Sequence, residues 1–150
     1  MFGFHAILEL AGRAAHLEAV SWLHEVVAME ADQIDLVLKR FEEPDEMRQM
    51  EKGKFELVHI GGLTIGRATY EPGWKWSEHV GPSRGQPLCT VEHVGLVLSG
   101  TATAAFEDGT VKELTAGTLF YIPPTPHDSW VVGNERYVSL HFLGADHYAK

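Results

Sequence analysis

The stretch from Val91 to Phe142, VEHVGLVLSGTATAAFEDGTVKELTAGTLFYIPPTPHDSWVVGNERYVSLHF, decides the fold. Short runs rich in β-branched and aromatic residues lie at Val91 to Leu98, Thr101 to Phe106, Val111 to Leu114, Thr118 to Ile122, Ser129 to Val132 and Arg136 to Phe142. Between them fall Ser99-Gly100, Asp108-Gly109, Ala116-Gly117, Pro123-Pro124 and Gly133-Asn134. From Gly100 onward these breaks come every 7 to 11 residues, which is the punctuation of a β-sandwich or closed barrel.

Working outward, Phe55 to Ile60, Leu63 to Tyr70 and Lys75 to Val80 also read as strands, set off by Gly61-Gly62, Pro72-Gly73 and Gly81-Pro82. Between Gly53 and Gly144 fall 13 of the 15 glycines and six of the seven prolines, so the first 52 residues form a separate, helix-permissive regime. In it Phe4, Ile7, Leu8, Leu10, Leu17, Val20, Leu23, Val26 and Val27 recur near helical spacing, and Glu42 to Met47 reads as a polar connection. The expectation is a helical N-terminal extension over residues 1–52 and an all-β domain over residues 53–150. Met29 followed by Glu30 leaves open whether residues 1–28 belong to the folded domain.

Composition narrows the partners. Twelve Lys and Arg against 21 Asp and Glu leave a formal charge of −9, which offers no footprint for nucleic acid or anionic membrane. No apolar run is long enough to cross a bilayer, and Met1 to Val27 lacks the basic start of a targeting peptide. A lone cysteine, Cys89, cannot form an intramolecular disulfide, and a reducing, cytoplasmic setting is expected. There is no GxSxG elbow, Walker loop or GxGxxG turn, so hydrolase and nucleotide-binding readings drop out.

Nine histidines are the richest chemical resource. His79, His93 and His127 each sit beside glycine or proline on a strand or turn, where a barrel can gather them at one mouth. Imidazole suits Zn, Cu, Fe and Ni, and three such ligands leave coordination positions open for substrate.

Three blocks then resemble one known family. Gly73 precedes His79 by five residues, His93 precedes Gly100 by six, and Gly117 precedes Pro123 by five with His127 following. The chain from about residue 55 to 143 is similar to a small single-domain cupin, which implies a jelly-roll β-barrel and a divalent metal site. The first cupin motif is Gly, five residues, His-x-His, a short gap, Glu, six residues and Gly; the second is Gly, five residues, Pro-x-Gly, two residues and His. Here Gly81 stands at the second histidine position, His93 at the glutamate position, and the gap from Pro82 to Glu92 is much longer than the family's. In the second motif Thr125 replaces glycine, and the spacing to His127 is one residue shorter.

The resemblance therefore implies His79, His93 and His127 as an all-histidine triad holding Fe, Mn, Zn, Ni or Cu. Carboxylate-free triads of this kind occur in thiol and diketone-cleaving dioxygenases of the superfamily. Neutral ligands leave the cation's full charge facing the open positions, which favours an anionic or chelating small molecule.

Other residues take lesser roles. Trp76 and Trp130 are expected to wall the substrate pocket, while Trp74, Phe120 and Tyr121 add an aromatic lining. His59 and His141 read as packing or supporting residues, and His5, His16, His24 and His147 as solvated. Strand alternation keeps Glu78 from sharing the face of His79. Cys89 reads first as a small buried residue and Arg67, if inward, as a partner for a substrate carboxylate. The overall expectation is a metal-binding cupin acting as a dioxygenase-like oxidoreductase, the alternatives being a metal-dependent lyase or isomerase and a non-catalytic sensor. A homodimer is the expected assembly.

Overall fold

Alternation of small and large residues along β-rich segments dictates a sheet with one face turned inward, and the chain builds two such sheets. The structure is a computed structural model that describes residues 36–148; the part of the expected helical extension in residues 1–35, with His5, His16 and His24, lies outside the described residues. Nine strands follow: β1 Glu46–Met50, β2 Gly53–Ile60, β3 Leu63–Tyr70, β4 His93–Ser99, β5 Thr101–Phe106, β6 Val111–Thr115, β7 Leu119–Ile122, β8 His127–Asp128 and β9 Tyr137–Leu143. The larger sheet runs β1-β2-β3-β9-β4-β7 and the smaller β6-β5-β8, with every pairing antiparallel. Chain order and sheet order diverge at β9, which returns between β3 and β4, and this crossover gives the jelly-roll barrel expected from the sequence.

Period-two burial places the core. Ala68 and Tyr70 on β3, His93 and Val97 on β4, and Tyr137, Ser139 and His141 on β9 all turn inward. With Phe55 and Leu57 of β2, Ala102 and Ala104 of β5 and Leu114 of β6, the apolar members join one buried cluster shared by both sheets.

Two glycines shape the interior at the level where the histidines lie. Gly66, His141 and Gly95 form one cross-strand row through β3, β9 and β4, and Phe120 continues it on β7. Directly opposed residues share a face, so the glycines vacate the space on either side of His141. Phe55 and Phe120 fill it: their ring centroids stand 5.3 and 5.6 Å from that of His141. A Cβ at Gly66 would strike the Phe55 ring, and one at Gly95 would strike both Phe120 and the Leu140 carbonyl.

The outer face of the same sheet carries a polar row. Met47, Glu56, Arg67 and Leu140 are successive cross-strand partners, which puts Arg67 on the side away from the barrel interior. There it grips the buried Glu56 at 2.8 Å and also binds the Glu42 carboxylate and the Phe41 carbonyl. Burial raises the Glu56 carboxyl, but hydrogen bonds from Arg67 and Lys54 outweigh it and hold the group below its ordinary value. Arg67 is thus committed to the scaffold and is not placed to receive a substrate carboxylate.

Three elements differ from the sequence reading. Glu46–Met50, which overlaps the expected polar connection, pairs along its whole length with β2 and starts the sheet earlier than Phe55. Lys75 to Val80, expected as a strand, instead forms the single-turn helix α1 Trp76–His79, followed by α2 Gly81–Arg84. Trp76 is buried, and proline in the first turn suits the start of α2. Ser129 to Val132 contributes only single bridges at Trp130 and Val131. The crowding around His141 yields a test: Gly95→Ala should cost about 1–3 kcal/mol of unfolding free energy in a denaturant titration, because Phe120 has to leave its position.

Candidate metal centre

Cys89 and His127 are placed by the backbone before any side-chain chemistry is considered. The Cys89 N–H donates to the His127 carbonyl at 2.8 Å and the His127 N–H donates back to the Cys89 carbonyl at 2.9 Å. This is the narrow, doubly bonded pair of an antiparallel ladder, and it sets the two side chains next to each other. His93 follows four residues after Cys89 and opens β4 with its ring inward.

The three side chains offer Sγ and two imidazole nitrogens that all lie within 4.8 Å of one another, and all three residues are buried. The Cys89 Sγ is 3.5 Å from His93 Nε2. A tetrahedral cation with metal–sulfur and metal–nitrogen bonds of ordinary length separates two such ligands by about 3.5 Å, so the pair fits a metal with little adjustment. His127 Nδ1 sits 2.7 Å from the Thr125 carbonyl. A carbonyl can only accept, so Nδ1 carries the proton and Nε2 keeps its lone pair for a ligand.

These donors open onto a cavity of about 40 Å³, room for an ion and a few small groups. Its wall includes Tyr70, Trp74, Trp76, His141 and Tyr148, and no Asp, Glu, Lys or Arg is among the described lining residues. Burial therefore dominates the electrostatics. It lowers His93 to about 2, with His141 and His127 contributing, and His141 to about 4; it lowers His127 and pushes the Cys89 thiol up to about 11. Near neutral pH the metal-free cluster is uncharged. Several polar atoms in this region have no hydrogen-bond partner: Nδ1 of His93 and His141, and Nε1 of Trp74 and Trp76.

The structure brings together His93 and His127 but not His79. His79 ends α1, and its Nδ1 lies 3.0 Å from the Lys75 amide and 2.9 Å from the Lys75 carbonyl, a local helix-turn contact. Cys89 takes the third position, so the cluster is Cys/His/His instead of three histidines. Of the two tryptophans read as pocket wall, Trp76 lines this cavity and Trp130 does not. Trp130 is half-buried on the bridge to Lys75, and Trp74, stacked on Tyr70 at 3.7 Å, stands in the wall instead. Glu78 is exposed beside Lys75, and His59 is exposed against Thr64. His141, expected in a supporting role, lines the cavity with its ring centroid 5.4 Å from that of His93.

A spacing signal for Cys89 was present in the sequence. Gly81, five residues, Pro87, Leu88, Cys89, three residues, His93, six residues and Gly100 match the first cupin motif without the long gap. In this register Pro87 replaces the first histidine, Cys89 the second and His93 the glutamate. The competing match through Gly73 and His79 drew the triad onto the wrong segment.

No family model matches the chain and no curated relative matches it. Solved structures do. A protein of unknown function from Rhizobium leguminosarum bv. viciae 3841 is 19% identical over 72% of this chain and 95% of its own, with a TM-score of 0.52. Oxalate decarboxylase from Lactobacillus farciminis, solved as a formate complex, is 18% identical over 75% of this chain at a TM-score of 0.50. This chain covers only 35% of that enzyme's length. An RmlC-like cupin from Shewanella frigidimarina NCIMB 400 is 16% identical over 71% of this chain and 90% of its own, at 0.49. The fold is that of a small cupin domain. Among the described residues no helix is long and apolar enough to cross a membrane.

The buried histidines also set an acid limit. Unfolded histidines take up protons from about pH 6.5, whereas His141 and His93 do so only near 4 and 2. Between those values the unfolded state binds more protons, so stability falls as pH falls. The urea midpoint of metal-free protein should drop steadily from pH 6.5 to pH 4, and His141→Leu should flatten that slope.

Proposed function

We propose that the protein is a metal-dependent oxidoreductase of the dioxygenase type, which holds one first-row divalent cation on Cys89, His93 and His127 and acts on a small molecule in the adjoining cavity. The observation that carries the reading is the set of three buried donor atoms within 4.8 Å of one another at a cavity wall. Such a cation would supply a Lewis-acid and redox centre with positions left open.

The chain's own residues support this in three ways. His127, fixed by Thr125, presents the correct nitrogen. Neutral imidazoles bind without first losing a proton, while the Cys89 thiol gives one up, so the occupied site carries one unit of positive charge and favours an anionic or chelating guest. Finally, the described lining holds no carboxylate or ammonium group to shuttle protons, and its histidines and tyrosines are pushed by burial away from neutral titration. Lyase and isomerase chemistry commonly draws on such a group; oxidation by electron exchange at a metal asks less of the side chains.

Metal analysis after metal-replete expression should find about one ion per chain. Cys89→Ser and His127→Ala should each lose most of it, and His79→Ala should retain it. In a cobalt-loaded sample, Cys89→Ser should abolish the thiolate-to-cobalt charge-transfer band. Oxygen uptake by iron-loaded protein across diketones, thiols and phenolates tests the reaction class. Metal-free protein, or full metal retention by Cys89→Ser, would refute the centre, and absence of uptake across the panel would refute the oxidation.

A further inference from the structure

One residue in the wall of the cavity beside the candidate centre comes from beyond the last strand. Tyr148 belongs to the turn that follows β9, yet it is only 4% exposed. Its ring lies 4.7 Å from Phe55, 5.6 Å from His93 and 6.2 Å from His141, centroid to centroid, the last in a stacked arrangement. Its hydroxyl accepts from the Tyr70 hydroxyl at 2.7 Å. A complete phenol, ring and hydroxyl, is thus recognised by an aromatic cage next to the donor cluster.

The segment that delivers this phenol is attached in a separable way. It begins at Gly144, whose positive φ of +81° and close approach to the Glu92 carbonyl require glycine. From there the amides of His147 and Tyr148 donate to the Gly144 carbonyl. The remaining anchors outside the phenol and the buried Ala145 come from Arg48, whose buried guanidinium donates to the carbonyls of Ala145, Asp146 and Tyr148. A latch made of hydrogen bonds to main-chain oxygens releases without leaving a charge unmatched in the core, because Arg48 also pairs with the partly exposed Glu46.

We propose that Tyr148 is a tethered occupant of the ligand site, that the site's external ligand is a phenol carrying a single ring, and that this ligand enters when the segment from Gly144 to Tyr148 withdraws from Arg48. The phenol's role as a substrate rests on the metal-centre reading; the pocket itself does not. Competition by a tethered group lowers apparent affinity by the fraction of molecules in which the site is free.

The test uses 4-methylphenol as the probe, with equilibrium dialysis on the full chain and metal content measured on the same samples. Tyr148→Ala should bind 4-methylphenol at least roughly ten-fold more tightly than the native protein. It should also prefer 4-methylphenol to toluene, and Tyr70→Phe in the same background should erase that preference. In native protein, saturating 4-methylphenol should speed hydrogen exchange at the amides of His147 and Tyr148. Should Tyr148→Ala fail to fold, Arg48→Met, which loosens the segment and leaves the ring in place, should show both raised affinity and faster exchange.

A folded Tyr148→Ala protein with no affinity for 4-methylphenol would overturn the proposal. So would equal affinity in native and variant proteins, or unchanged exchange at the two amides on saturation. Protein that binds 4-methylphenol but retains no metal would refute the centre and leave the pocket standing; protein that retains metal but binds no 4-methylphenol would do the reverse.

Discussion

The site depends on one backbone exchange, the pair of hydrogen bonds between Cys89 and His127. Cys89 lies in the connection after α2 and His127 opens β8, a strand of only two residues. Neither segment has enough ladder of its own to fix a side chain. Bonded to each other, they fix both, because a doubly bonded antiparallel pair allows one register and one face. His93 then needs nothing further: it is the first residue of β4 and the same side of the chain as Cys89, four residues on.

Burial turns that geometry into chemistry. In an exposed setting two histidines and a thiol would be partly protonated and solvated, and would gather a cation only weakly. Here the donors share a wall with the rings of Phe120, Trp74 and Trp76, and burial keeps the imidazoles neutral. The cost is visible in the unpartnered nitrogens of His93 and His141, since a buried polar atom without a partner loses its hydration for no return. Such atoms are tolerated where a bound group satisfies or balances them.

Much of the barrel was legible because strand signals are local. The alternation through Leu63 to Tyr70, the glycine at Gly100 and the Asp108-Gly109 turn each state their own conformation, and the strands from β2 to β7 fall close to where they were read. The site was legible in part. His127 is announced by its proline-rich approach and His93 by its distance from Gly100. His79 misled because Lys75 to Val80 alternates like a strand, whereas the burial of Trp76 and the Gly81-Pro82 step favour helical turns that aim the imidazole back at Lys75. The pairing of Cys89 with His127 joins residues 38 apart and leaves no local trace, and the role of Tyr148 is set by Arg48, a hundred residues away. Long-range contacts of this sort are decided by the packed interior and not by any window of sequence.

The row Gly66, His141, Gly95 and Phe120 binds four positions into a single unit of variation. A side chain at residue 66 is admissible only where residue 55 has surrendered its ring, whereas one at residue 95 meets the Leu140 carbonyl as well as the Phe120 ring, so no exchange at 120 alone admits it. Among descendants of this chain, residue 95 should stay glycine and exchanges at 66 should travel with exchanges at 55, and the two together would mark lineages that keep a histidine at 141.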